Sequence, residues 1–152
     1  MANQRKIPAA FYRGGTSKAV IFKSTDLPRD PDTWPAIFRS VMGSPDPNGR
    51  QRDGMGGGLS SLSKVCVIGP STRPDADVDY TLAQVGIADD IVDFRGNCGN
   101  MSSAIGPFAV DAGLVRLDGA TSNATVRIHN TNTGQLIEAC FALRDGFVYP
   151  RD

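Results

Sequence analysis

A chain of 152 residues in which 16 Lys and Arg balance 16 Asp and Glu has the length of one domain with a buried core, and no basic field to draw nucleic acid or an anionic membrane surface. Its apolar share is ordinary at 40%, no apolar run reaches the roughly 18 residues that span a bilayer, and residues 1–6 are polar rather than signal-like. The three cysteines, Cys66, Cys98 and Cys140, are far apart and lack C-x-x-C spacing, and His129 is the only histidine; a disulfide framework and a zinc site are therefore not expected, and a reducing, cytoplasmic setting is.

Residues 7–12 and 19–23 are apolar and β-leaning, and Arg13-Gly14-Gly15-Thr16 between them reads as a hairpin turn. Residues 32–42 place Trp34, Ile37, Phe38 and Val41 at helical spacing, with Asp30 or Asp32 as N-cap, which predicts an outer helix. A long loop follows over residues 43–62, where Ser44-Pro45-Asp46-Pro47-Asn48-Gly49 is strong turn chemistry and the prolines forbid a helix. A loop of that length inside one domain is usually functional or disordered. Residues 64–68 read as a buried strand, residues 77–85 as a half-exposed one (Val78, Tyr80 and Leu82 alternate), and residues 91–94 as another. A second helix is predicted over about 100–112, closed by Gly113 at the position that favours left-handed backbone. Residues 115–117, 124–129, 136–143 and 147–149 complete a strand-rich set. The pattern is α+β, with many antiparallel strands and two helices.

The junction between strand 91–94 and the second helix reads Gly96-Asn97-Cys98-Gly99-Asn100-Met101. A cysteine at a helix mouth meets unpaired backbone N–H groups and the positive end of the helix dipole, and both favour thiolate over thiol. The same N–H groups are a site for a carboxylate. One short segment can therefore hold an anionic substrate and present a base to it, although position alone leaves Cys98 a nucleophile, a base or a buried thiol. Lys64 opens strand 64–68 directly after Ser60-Ser61-Leu62-Ser63. It is either a solvated lysine at a strand start or, held against a glycine-rich wall, a desolvated proton-transfer group. Cys66 and Cys140 read as structural strand residues, and His129 as a surface or turn histidine. The glycine clusters do not make a phosphate site: no G-x-x-x-x-G-K-[ST] is present, and Gly54-Met55-Gly56-Gly57-Gly58-Leu59 lacks the third glycine of G-x-G-x-x-G.

Three segments together resemble the PrpF family of cofactor-independent isomerases, whose members act on 2-methylaconitate, 3-methylitaconate and 4-oxalomesaconate. They are Arg13-Gly14-Gly15-Thr16-Ser17-Lys18, the run from Gly43-Ser44-Pro45-Asp46-Pro47-Asn48-Gly49-Arg50-Gln51-Arg52-Asp53-Gly54 on to Ser60-Ser61-Leu62-Ser63-Lys64, and Gly96-Asn97-Cys98-Gly99-Asn100. The resemblance covers essentially the whole chain. Cys98-Gly99-Asn100 is also similar to the catalytic C-G-N of diaminopimelate epimerase, whose fold the family shares. The implied fold is an α+β, diaminopimelate epimerase-like domain with mostly antiparallel strands wrapped round a central helix (about 100–112) and an outer helix (about 32–42). The implied chemistry moves a proton and a C=C bond in an unsaturated di- or tricarboxylic acid, without metal or organic cofactor. It passes through a dienolate-like anion that needs preorganised N–H donors and cations.

The resemblance assigns Lys64 as an acid/base and sets Cys98 opposite it. It places Thr16 and Ser17 in a turn that touches a substrate carboxylate, and Ser60, Ser61 and Ser63 in the substrate loop. Gly99, Asn100 and Met101 would offer helix-terminal amides to a second carboxylate. Family members have two domains with the site between them, and residues 1–152 correspond to the N-terminal one, with the second absent. The expectation is then an incomplete enzyme whose Lys64 and Cys98 line an open wall, with weaker desolvation and little turnover alone. Its inter-domain face should be apolar and should pair two copies. Two other readings stay open: a non-catalytic accessory module for an aconitase-like enzyme, which need not bind tricarboxylates, and an amino-acid epimerase-like half. The latter class uses a pair of cysteines and leaves Lys64 without a role.

Overall fold

The computed structural model of the chain describes residues 4–117 and 122–149; the first three residues of the polar start lie outside the described residues. In chain order the elements are Ala10–Gly14 (β1), Ser17–Lys23 (β2), Trp34–Met42 (α1), Lys64–Pro70 (β3), Val78–Val85 (β4), Val92–Asp93 (β5), Gly99–Asp111 (α2), Asn123–Asn130 (β6), Leu136–Arg144 (β7) and Phe147–Val148 (β8). The strands form one sheet in the order β1-β2-β3-β4-β6-β7-β8, with β5 also paired to β4. Five of the pairings are antiparallel, but β2/β3 and β4/β6 are parallel. Parallel neighbours need a crossover. The α1 segment with the long loop supplies the first, and β5 with α2 supplies the second.

Alternation sorts the side chains onto two faces. Ala19, Ile21, Cys66, Ile68, Val78, Tyr80, Leu82, Val126 and Ile128 pack against Met101, Ala104, Ile105, Phe108 and Ala109 of α2. Val20, Phe22, Val65, Val67, Ala83 and Val85 pack on the other face against Phe38 and Met42 of α1. The central strands are covered on both sides, which is why they read as continuous apolar runs rather than clean alternation. The sheet curls round α2, the central helix expected over about 100–112, and α1 is the outer one. Among the described residues no helix is long and apolar enough to cross a membrane.

Three local readings are corrected. Residues 115–117 form no strand: Leu114 N and Val115 N donate back to Ala109 O at 2.9 and 3.2 Å, so the chain folds over the end of α2, past Gly113 at φ +72°. The outer helix begins later than Asp32, because the Asp30 carboxylate accepts from Asp32 N at 3.0 Å and residues Pro31–Thr33 form a 3-10 turn first. Cys140 lies on the exposed side of β7, not in the core.

Candidate active site

Three elements end at one edge of the molecule: β2 and β3 begin there, at Ser17 and Lys64, and β4 finishes there just beyond Gln84. Register sets Lys64 beside Ala19 and opposite Gln84. Strand alternation then brings Ser17, Lys64 and Gln84 to the face that packs on α2. The same helix points its N-terminus to this edge. Cys98 is its N-cap, with extended backbone (φ −122°, ψ 107°) and no side-chain capping bond. Its sulfur stands 3.8 Å from the Ser17 hydroxyl.

The first glycine cluster makes that approach possible. A Cβ on Gly14 would run into the Asn100 carbonyl and stand 2.9 Å from Met101 Cα, so only glycine lets the β1–β2 turn lie on the helix mouth. Asn100 Nδ2 then donates to Thr16 Oγ1 at 3.1 Å. Thr16, Ser17, Cys98 and the exposed Gly99–Asn100 amides are thus gathered in one place. Met101 contributes only its backbone, since its side chain is buried in the core.

Asparagines that sequence reasoning passed over hold Cys98 in position. Ser102 Oγ lies 2.9 Å from Cys98 O and 3.3 Å from Asn97 Oδ1, and buried Asn130 donates its Nδ2 to the same Asn97 oxygen at 3.2 Å. At the fork where β5 and β6 leave β4, the Asn132 side chain bonds Leu82 through both its ends, at 2.8 Å each, and also donates to Phe94 O. The turn after β6 therefore clamps the segment that leads into Cys98. Its one visible signal, the Asn130-Thr131-Asn132-Thr133-Gly134 run, reads from sequence only as a turn.

Lys64 is 8% exposed, which replaces the solvated-lysine reading with the buried one. Its ammonium donates to Gln84 Oε1, and Gln84 Nε2 donates to Ser60 O and Ser63 O at 2.9 Å each. The three serines before Lys64 part company. Ser60 is exposed and Ser61 half-buried at the edge of the site. Ser63 is fully buried, and its hydroxyl accepts from Gln51 Nε2 at 2.7 Å and donates to Val85 O at 2.8 Å. Ser63 fastens the long loop to the sheet and presents nothing to solvent.

That loop is built rather than loose. Gln51 is buried, bonds Ser44 and Ser63 through Nε2, and accepts from Gly58 N at 2.9 Å. The Asp46 carboxylate accepts from the amides of Asn48, Arg50 and Gln51 at 2.9, 3.0 and 2.7 Å, and the first two of these bonds, above all, hold it below the usual carboxylate range.

Behind the site, burial pushes the Cys66 thiol up to about 12, and burial followed by the nearby Cys66 also raises the Tyr80 hydroxyl. His129 is not a free surface residue but pairs its Nδ1 with Asp79 at 2.8 Å on the opposite face of the sheet from Tyr80. Among the described residues no group of three or more His, Cys, Asp or Glu is arranged to hold a metal ion. The edge offers an amine, a thiol, two hydroxyls and helix-terminal amides, a set that can bind carboxylates and exchange a proton with carbon.

A family model described as PrpF protein matches residues 4–151. The 3-methylitaconate isomerase of Eubacterium barkeri is 47% identical over 146 residues, covering 96% of this chain and 37% of that protein. The 2-methyl-aconitate isomerase of Cupriavidus necator is 50% identical over 140 residues, covering 88% of this chain and 35% of that protein. The crystal structure of a methylitaconate-delta-isomerase superposes with a TM-score of 0.89 at 46% identity, over 97% of this chain and 37% of that one. A hydroxyproline epimerase from Agrobacterium vitis, solved with trans-4-hydroxy-L-proline, shares the fold at 15% identity and a TM-score of 0.56, over 92% of this chain and 38% of that one. The chain thus spans 35–37% of the length of the two curated relatives. The motif resemblance and the epimerase-like α+β architecture agree with these matches, and the chain belongs to the PrpF protein family.

Proposed function

We propose that this chain carries one wall of the active site of a cofactor-independent isomerase that moves a proton, and with it a C=C bond, in an unsaturated di- or tricarboxylic acid. The observation that carries this reading is the convergence of buried Lys64 and helix-mouth Cys98 at one sheet edge, with Ser17 3.8 Å from the thiol. The names of the relatives, a 3-methylitaconate isomerase and a 2-methyl-aconitate isomerase, support the substrate class. One carboxylate of the acid sits on the Gly99–Met101 amides and another on the exposed Thr16 hydroxyl, with buried Ser17 directly behind it and Ser60 and Ser61 at the rim. The base, amine or thiolate, takes a proton from the carbon next to the double bond. The electron pair spreads into the conjugated carboxylate as a dienolate, stabilised by the helix terminus and the lysine cation. The second group returns a proton to the far carbon, and the double bond has moved; no electrons leave the system, so no redox cofactor enters this route.

The other wall belongs to a second domain of a longer protein or to a second copy. Leu59, beside Ser60, and Ile91, ahead of the Cys98 segment, are exposed apolar side chains that such a partner would cover. A cytoplasmic location fits the free thiols. The test is deuterium incorporation from D2O into bound 2-methylaconitate or 3-methylitaconate, followed by NMR at saturating acid. Lys64→Ala and Cys98→Ala are expected to lower the exchange rate by about 10²–10⁴-fold. Near-normal incorporation in Lys64→Ala would sink the assignment. An accessory module need not bind the acid, so loss of binding rather than of exchange alone would favour that reading.

A further inference from the structure

The acceptor that the Lys64 ammonium meets is the side-chain oxygen of Gln84. The two residues are register partners across β3 and β4, so the sheet itself sets the contact. The other end of the amide is equally fixed. Nε2 donates to the carbonyls of Ser60 and Ser63 at 2.9 Å each, and carbonyls only accept. Turning the amide over would set its oxygen against two carbonyls and its NH2 against an ammonium. The surrounding atoms therefore determine the orientation.

Two features are thereby tied together. Ser60–Leu62 is the 3-10 turn that closes the long loop, with Gly57 N donating to Leu62 O at 3.2 Å. The same amide that fastens this turn to β4 aims the amine. The titratable neighbours on this face are Cys66, one pleat further along β3, Tyr80, two pleats back along β4, and Cys98 at the mouth of α2. Among the described residues Lys64 enters no ion pair. A carboxylate at position 84 would add a Coulombic hold on the ammonium and oppose release of its proton. An amide oxygen orients the amine without that hold.

We infer that Gln84 is the positioning residue of the site, aiming the Lys64 amine with a neutral acceptor and locking the Ser60–Ser63 turn to it. The catalytic consequence rests on the acid/base reading of Lys64, whereas the positioning itself can be measured without substrate. The chain, labelled with 13Cε-lysine, is titrated by NMR alongside Gln84→Glu and Gln84→Met, with thermal melts to establish that each variant folds. Gln84→Glu is expected to move the Lys64 midpoint upward by about one unit or more. Gln84→Met, which keeps the volume and removes the bonds, is expected to release the Lys64 side chain and to speed amide exchange at Leu62 and Ser63 by about tenfold or more. An unchanged midpoint in folded Gln84→Glu, or an equally ordered Lys64 in Gln84→Met, overturns the role of Gln84. Retained deuterium incorporation in Lys64→Ala overturns the functional reading and the catalytic consequence, and leaves the titration result standing.

Discussion

The Ser17 hydroxyl and the Cys98 sulfur stand 3.8 Å apart across 81 positions of sequence, and this contact joins the start of β2 to the mouth of α2. It also fixes which of the three thiols faces the site. Cys98 is half-buried, Cys140 is exposed and Cys66 is fully buried.

Thiol alkylation should follow that order. Iodoacetamide is expected to label Cys98 and Cys140 in the native chain and to leave Cys66 unmodified until denaturation, because burial holds its thiol up at about 12. A bound unsaturated tricarboxylate should protect Cys98 and leave Cys140 as reactive as before. Peptide mass mapping after timed labelling reads all three. Native labelling of Cys66 as fast as Cys98 would contradict the arrangement.

Gly14→Ala should damage both the fold and the site. Its Cβ meets the Asn100 carbonyl and Met101 Cα, which are backbone atoms that cannot step aside, so the β1–β2 turn must lift from the helix mouth. A loss of about 1–3 kcal/mol in urea unfolding is expected, together with weaker binding of the acid. Gly96→Ala is the control, since a Cβ there meets nothing within 4 Å; its effect should stay within about 0.5 kcal/mol. Equal effects of the two substitutions would refute the close approach.

Acid should weaken the fold partly through Asp79. Burial alone raises this carboxyl, but bonds from His129, from the Thr72 hydroxyl and amide, and from Ser71 together outweigh it and hold the group below its ordinary value. A depressed carboxyl stabilises the folded state above its unfolded value of about 3.9 and loses that contribution as pH falls through the lower folded value. The urea midpoint should therefore drop below about pH 4, and Asp79→Asn should flatten that acid limb. Asp46, Asp75 and Asp93 are also depressed, so the difference between parent and variant isolates Asp79. An acid limb of the same steepness in Asp79→Asn would remove this pair from the account.

The two helices, the chemistry of the long loop and the helix-mouth cysteine were legible in the chain because each depends on neighbours within a few positions. Apolar spacing from Trp34 to Val41 makes α1, Gly113 ends α2, and Cys98 caps a helix because the residues after it are helical. Residues 115–117 look equally strand-like, yet the Val115 amide, with that of Leu114 before it, is claimed by Ala109 O at the end of α2. Local propensity yields there to a tertiary hydrogen bond.

What only the tertiary structure decided is which distant segments meet. Nothing in a period of two tells β3 to lie parallel to β2 after a crossover, or β6 to lie parallel to β4. Those pairings, together with the antiparallel β3–β4 register that chooses Gln84 as the partner of Lys64, set Lys64 beneath the loop and turn Ser63 inward while Ser60 stays at the surface. Local pattern determined the reactive residue types and the elements that carry them. Their burial, partners and mutual aim were settled by sheet register and by the close packing of the Gly14–Gly15 turn on α2, because those contacts join positions that no local spacing relates.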